Sequence, residues 1–271
     1  MIARCPLAIR VEPGKKPFSQ TLRDWFPAIL LFVGTIILWQ AMVKLFEVPR
    51  YVLPAPSDIV NIMSKKALDL IFQVGWTMIE AIGGFLVGGS IAFIASSIFV
   101  HVRIVERSML PWAIVLETVP IIAIAPLLTI WLGFGLAPKI AIAAIVCFFP
   151  VLVNTTRGLR AVPPQAFELM KILSASRWQI FRQVRIPFAI PFVFSALKIA
   201  STLSVIGAIV AEFTGADRGI GYVVVSASYR MDTALLFAGI AFSSLAGVIF
   251  YQVISFLERL LLYWPGARLQ E

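Results

Sequence analysis

Three acidic residues stand inside or beside strongly apolar stretches of this sequence: Glu80, Glu117 and Glu212. An ionised acid at the centre of a bilayer costs on the order of 2.5–3.5 kcal/mol on insertion scales, so each must face protein or water. Glu117 lies close to Pro120, where a broken helix could border an aqueous cavity. Glu212 precedes the Gly219/Gly221 loop, where it could gate or line the outer end of a pore, or simply bond to backbone at a helix end. Glu80 is expected one to two turns into its helix, near enough to reach the interface. Lys198 lies about 21 Å from Glu212 along a straight helix at about 1.5 Å per residue, so the two cannot pair within one helix. Lys198 is left to snorkel or to meet another acid. The simplest partners for Glu212 are then the backbone N–H groups around Gly219 and Gly221.

Little else in the sequence could do chemistry. One histidine, His101, cannot build a histidine metal site, and Cys5 and Cys147 are read as unpaired. There is no G-x-x-x-x-G-K-[ST] loop to cradle nucleotide phosphates and no Ser/His/Asp arrangement. No catalytic residue, metal or cofactor is expected on this chain, and the chain is not read as an enzyme.

The elements that must position these acids follow from composition. Of 271 residues, 60% are apolar and 14% charged, with a mean hydropathy of +0.93. Soluble domains carry roughly 25% charged residues, so lipid is the expected solvent. Six stretches can each cross a bilayer core: 26–46, 74–100, 109–132, 137–156, 188–213 and 233–257. The third contains Pro111, Pro120 and Pro126 and is expected to be kinked or broken. The polar, basic stretch through Asp24 lacks the features of a cleaved signal, so the first membrane helix does the targeting. In the second stretch Gly84 and Gly88 form a GxxxG pair, suited to packing inside the chain or at a subunit interface.

Charge sets the orientation. Fifteen of the 23 Lys and Arg residues fall in the N-terminal tail, the loops after the second and fourth stretches, and the C-terminal tail, against seven in the other loops. The positive-inside rule places both termini and the loop after the fourth stretch in the cytoplasm. The net charge of +9 is then mostly a topology signal with membrane lipid headgroups as its contact, and nucleic acid is not an expected partner.

That fourth loop is patterned. After Pro163-Pro164, the residues Phe167, Met170 and Leu173, then Trp178, Phe181 and Val184, recur every three or four positions. This predicts an amphipathic helix, a break at Ser174-Ala175-Ser176, and a second helix running to Pro187. Such a pair could lie on the membrane surface or plug into a groove on a partner.

The same segment resembles the cytoplasmic coupling motif of type I ATP-binding-cassette (ABC) importer permeases, E-A-A, three residues, G, nine residues, I-x-L-P. Glu168 matches the acid and Val184-Arg185-Ile186-Pro187 the end, whereas Leu169 and Met170 replace the alanines and Ser174 the glycine. The likeness continues along the chain. Leu53-Pro54-Ala55-Pro56, Pro120 with Ala125-Pro126 and Trp131-Leu132-Gly133-Phe134-Gly135, and Phe149-Pro150 with Asn154-Thr155 and Gly158 are each similar to family segments. So are Ala211-Glu212 with Gly219-Ile220-Gly221, and Glu258-Arg259 with Tyr263-Trp264. The branch resembled includes nitrate, alkanesulfonate, taurine, bicarbonate, thiamine-pyrimidine and riboflavin-type permeases.

The resemblance implies an all-α integral membrane protein with six transmembrane helices and a short coupling-helix pair between helices four and five. Residues 1–271 would form a single permease domain, with 1–25 a cytoplasmic tail and 157–187 the coupling segment. Glu168, Ser174, Arg177, Trp178, Phe181 and Pro187 would couple to a separate ABC ATPase. Glu117, Pro120, Pro126, Trp131, Glu212, Gly219 and Gly221 would line or gate the pathway. Implied partners are that ATPase, which binds the ATP, an extracytoplasmic substrate-binding protein and a second copy of the chain, in a bacterial inner membrane. A channel or secondary transporter without an ATPase is the alternative, but such a carrier has no need of a plug for a partner. The substrate is not specified by any of these residues.

Overall fold

The computed structural model describes residues 18–261. The helices are α1 (Phe18–Leu45), α2 (Pro56–Lys65), α3 (Ala67–His101), α4 (Arg103–Thr118), α5 (Ile121–Leu132), α6 (Leu136–Arg160), α7 (Pro164–Ile172), α8 (Arg177–Ile180), α9 (Ile186–Glu212), α10 (Ile220–Tyr229) and α11 (Thr233–Leu261). Most of the expected N-terminal tail, with Cys5, and the Tyr263-Trp264 pair lie outside the described residues.

Among the described residues, five helices are long and apolar enough to span a membrane, and α4 with α5, bent by 99°, makes a sixth when the pair is counted as one broken span. The bend falls at Val119 and Pro120. Proline disfavours helical backbone at the residue before it, and Val119 is extended, at φ −72° and ψ 125°. Further on, Gly133 and Gly135 take φ values of +78° and +134° in the turn from α5 to α6, a backbone that only glycine adopts without strain.

Three features differ from the sequence expectation. Helix α3 begins at Ala67, seven residues before Val74, in turns where Asp69 and Gln73 interrupt an apolar run without breaking the helix. Two short helices, α2 and α10, occupy stretches read as outer loops; Pro56 starts the first of these. The second coupling helix does not stop at Pro187. Helix α8 passes through one π turn, Phe181–Arg185, straight into α9. Pro187 cannot donate a backbone bond, and the wider turn before it accommodates the missing N–H within a continuous rod.

The centre of the molecule is α3, α6 and α9 packed on one another through small residues. Ala81, Ala92, Ala196, Ala200 and Ala208 are fully or almost fully buried among them. Gly84 and Gly88 face α6 of the same chain: a methyl group on Gly84 would come within 2.8 Å of the Ala144 amide nitrogen, and one on Gly88 within 2.9 Å of its Cα. This settles the GxxxG pair as packing inside the chain. Gly207 of α9 does the same against Ala143. Lipid tails are as apolar as leucine, so close backbone approach and polar bonds, rather than apolar burial, hold such helices together.

Candidate functional site

At one end of the bundle, α3, α6, α9 and α10 meet around a buried polar cluster. Gln73, Thr77 and Glu80 recur at spacings of four and three, which puts them on one face of α3. Helix α10 begins after Gly219, whose φ of +105° lets the chain turn sharply beneath Glu212. No side chain of α10 itself caps its start. The free N–H groups are taken by other helices instead. Gly219 N–H donates to Gln73 Oε1 at 2.8 Å, Ile220 N–H to Thr77 Oγ1 at 2.8 Å, and Gly221 N–H to Glu212 Oε2 at 2.5 Å. Thr77 in turn donates to Glu212 Oε1 at 2.6 Å. A negative carboxylate at a helix N-terminus is favoured by the aligned peptide dipoles.

Glu80 is fully buried nearly four turns into α3, and Lys139 Nζ donates to its Oε1 at 2.8 Å. The expectation of an interfacial Glu80 is therefore corrected. It assumed a helix starting at Val74 and counted Lys139 among the loop charges, whereas Lys139 lies in the first turn of α6 and is also buried. The pair joins α3 to α6 one turn from Thr77. Outside the cluster, Arg218 clasps Asp217 through two hydrogen bonds, of 3.2 and 3.0 Å, and lies 4.5 Å above the Trp76 ring. The hydrogen bond from Arg218 holds the exposed Asp217 carboxyl below the usual carboxylate range.

At the opposite end lies the patterned segment. Helix α7 ends in a Schellman arrangement, with Ala175 N–H donating to Met170 O and Ser174 N–H to Lys171 O, both at 2.9 Å. Ser174 takes φ +55°, the left-handed backbone for which the resembled motif carries glycine. The turn is thus made without glycine, at a cost of roughly 1–2 kcal/mol. Two residues on, Ser176 and Gln179 form a reciprocal capping box, with bonds of 3.2 and 2.7 Å, that starts α8 cleanly.

The residues that the resemblance assigned to coupling divide by burial. Phe181 is buried against Leu159 and Ala189, with its ring 4.8 Å from that of His101. Arg185 sits 5.1 Å over the Phe167 ring and ties α7 to the start of α9. Glu168, Arg177 and Pro187 are exposed, and Trp178, although its ring lies 5.7 Å from Phe181, is 65% exposed. Leu169, Ile172 and Leu173 at the end of α7 are exposed as well, so the segment carries four bare large apolar side chains. Phe181 therefore anchors the segment to the membrane helices, and Trp178 is offered outward.

Comparison with known proteins bears on this arrangement directly. The family described as binding-protein-dependent transport system inner membrane component matches residues 84–269. The chain belongs to this family. It is 33% identical over 263 residues to a riboflavin transport system permease protein of Chloroflexus aurantiacus, covering 95% of this chain and 97% of that protein. It is 30% identical to a putative aliphatic sulfonates transport permease protein of Bacillus subtilis, covering 96% and 93%. A formylaminopyrimidine transport permease protein of Halalkalibacterium halodurans is 31% identical, covering 87% and 94%. The chain is the permease subunit of an ABC importer of the type I branch, a multi-pass protein of the bacterial inner membrane.

Within the permease, the residues singled out from sequence fall in three places. Glu212, Gly219 and Gly221 come together in the buried cluster, and Glu168 through Pro187 in the opposite-end segment. Glu117, Pro120, Pro126 and Trp131 lie exposed along α4 and α5. Their span meets α6 and α9 through Ala125, which packs with Ile142 and Ala211, and through Ile121 and Leu128 beside it. Sequence reasoning missed Gln73, Thr77 and Lys139 as members of the cluster. The signal that could have found the first two is their helical spacing to Glu80; nothing local marks Lys139. Lys198 meets Glu258 of α11 at 2.8 Å, an acid that the sequence reading had matched to a family motif but not to Lys198.

Proposed function

We propose that the permease works as a pair of identical subunits, each carrying one copy of a separate ABC ATPase on the surface formed by Leu169, Ile172, Leu173 and Trp178. ATP is bound and split on that partner, since this chain has no phosphate-cradling loop. An extracytoplasmic binding protein delivers the solute at the α10 end. The observation that carries the reading is the set of exposed apolar side chains on α7 and on α8, of which α8, bearing Trp178, runs through the π turn straight into α9. An apolar helical face of this kind suits a groove on a partner protein. When the two ATPases close, the segment moves, and α9 switches the bundle between states open to either side. The chain then acts as one permease domain, with 157–187 as its coupling segment. Glu117, Pro120, Pro126 and Trp131 on the bent third span, together with Glu212, border the route. The transported solute is a small, water-soluble organic molecule or anion of the kind carried by the relatives' systems, and the ligand of the cognate binding protein identifies it.

Combining Glu168→Arg with Trp178→Ala should leave the permease in the membrane at its usual yield while the ATPase no longer co-purifies. Partner recovery at the wild-type level from that variant would refute the docking surface. The same reading puts both termini, α7 and α8 in the cytoplasm, as the positive charge distribution supports. A cysteine at position 177, in a background lacking Cys5 and Cys147, should react with an impermeant maleimide only after the membrane is opened. Reaction in intact cells would reverse the orientation.

A further inference from the structure

Helix α4 lies at the edge of the bundle: Val105 and Ala113 pack against the core, but none of its residues is buried. Its first turn carries Arg103, Glu106 and Arg107, and across from them the end of α6 presents Arg160. Arg160 pairs with Glu106. Among the described residues, Arg103 and Arg107 have no carboxylate within ion-pair distance. These side chains surround a cavity of about 340 Å³ whose remaining wall is Leu110 and Pro111. After the Glu106–Arg160 pair is set aside, two positive charges face the cavity. The α4 N-terminus adds to them, since Val102 offers no side-chain cap for its free N–H groups.

We propose that this cavity is a binding site for the phosphate headgroup of an anionic membrane lipid. This inference rests on the chain's residence in the bilayer and is independent of which partner drives transport or which solute is carried. Phosphate is the chemistry that two guanidinium groups with no carboxylate partner among the described residues, beside a helix N-terminus, select, because each guanidinium can donate two parallel hydrogen bonds to its oxygens. A lipid, rather than a free phosphate, is indicated by what adjoins the arginines. Ile104 and Trp112 on the same helix are 78% and 71% exposed, and Met109 is also bare. Leu110 and Pro111 follow the arginines by one to two turns, roughly 5–12 Å further along the helix at 1.5 Å per residue. A charged headgroup at the first turn would therefore have its acyl chains beside apolar side chains, with Trp112 near the interface where tryptophan is enriched. Basic pockets between membrane helices are established anionic headgroup sites in other membrane proteins.

The test is native mass spectrometry of the intact permease–ATPase complex with phosphatidylglycerol and phosphatidylcholine in equal amounts, repeated with inorganic phosphate in phosphatidylcholine alone. Wild type should retain phosphatidylglycerol preferentially. The Arg103→Gln/Arg107→Gln double variant should retain it roughly thirtyfold less, as expected for two arginines at a membrane surface. Both residues are exposed, so a variant that folds is expected, and its yield and melting temperature in phosphatidylcholine serve as the control. Equal retention of the two lipids by wild type, or unchanged retention by the variant, would overturn the site. Saturation by millimolar inorganic phosphate without lipid selectivity would show a soluble-anion site and overturn the lipid assignment.

Discussion

Lys139→Met should destabilise the permease by about 3–5 kcal/mol, because it strands the fully buried Glu80 carboxylate without its cation. Exchanging both partners, Glu80→Met with Lys139→Met, should return most of that loss. The double variant removes the charge and the need to solvate it, and buried pairs replaced by apolar residues of similar volume are often neutral or stabilising. The two positions are in contact, so their effects must be strongly non-additive. Unfolding followed by circular dichroism in mixed detergent would measure it. If the double variant is as unstable as Lys139→Met alone, Glu80 was not stabilised by that lysine. The Oε2 atom of Glu80 already lacks a hydrogen-bond donor, so this carboxylate has no second source of compensation to fall back on.

The second large effect is expected at Glu212. Its two oxygens receive the Thr77 hydroxyl and the Gly221 N–H. Glutamine keeps the size but has only one oxygen, and its amide nitrogen would face a donor. One buried donor is left unsatisfied, a cost of about 1–3 kcal/mol. That cost falls only on the state in which α10 is seated against α3 and α9. At about 1.4 kcal/mol per factor of ten, the balance between seated and unseated α10 would shift roughly tenfold to a hundredfold. Uptake and substrate-stimulated ATP hydrolysis should change by a comparable factor, while the amount of permease in the membrane stays near normal. Thr77→Val, which removes a second member of the cap, should shift both in the same direction. Normal transport with normal stimulation in Glu212→Gln would reduce Glu212 to an ordinary helix-end acid. Gly219 offers a steric counterpart: any Cβ there would run into the Glu212 carboxyl.

The sequence was most legible where one physical rule dominates. Apolar length found every span, and Pro120 marked the place where the third one breaks, since both signals are local. Spacing at three and four found the segment around Trp178, because one side of that helix must be apolar whether it meets lipid or protein. The partner of Glu212 was accessible for a similar reason: Lys198 could be eliminated by distance, which left the glycine N–H groups, and Gly221 supplies one. Legibility failed at Glu80, Lys139 and Lys198. Each is satisfied by a residue at least 59 positions away, and no window of sequence contains both partners. The continuity of α8 with α9 was hidden as well, because a proline reads as a helix boundary and the π turn that absorbs it has no composition of its own. Phe181 and Trp178 share a periodic ridge, yet only their tertiary surroundings separate the anchor from the exposed face.

The unbroken run from Arg177 to Glu212 has a mechanical meaning. It is 36 residues long, up to about 54 Å at 1.5 Å per residue. One end bears Trp178, exposed on the segment proposed to meet the ATPase, and the other bears the carboxyl group that caps α10. A stiff beam of that length converts angle into displacement: a tilt of only about three degrees at one end moves the other by roughly 2.8 Å, the length of a single hydrogen bond. Glu212 could therefore be drawn off Gly221 by a push too small to disturb the packing of alanines along the beam's middle. The gearing lies in the ratio of lengths, and it concentrates a small rotation on a short, directional bond at the far tip.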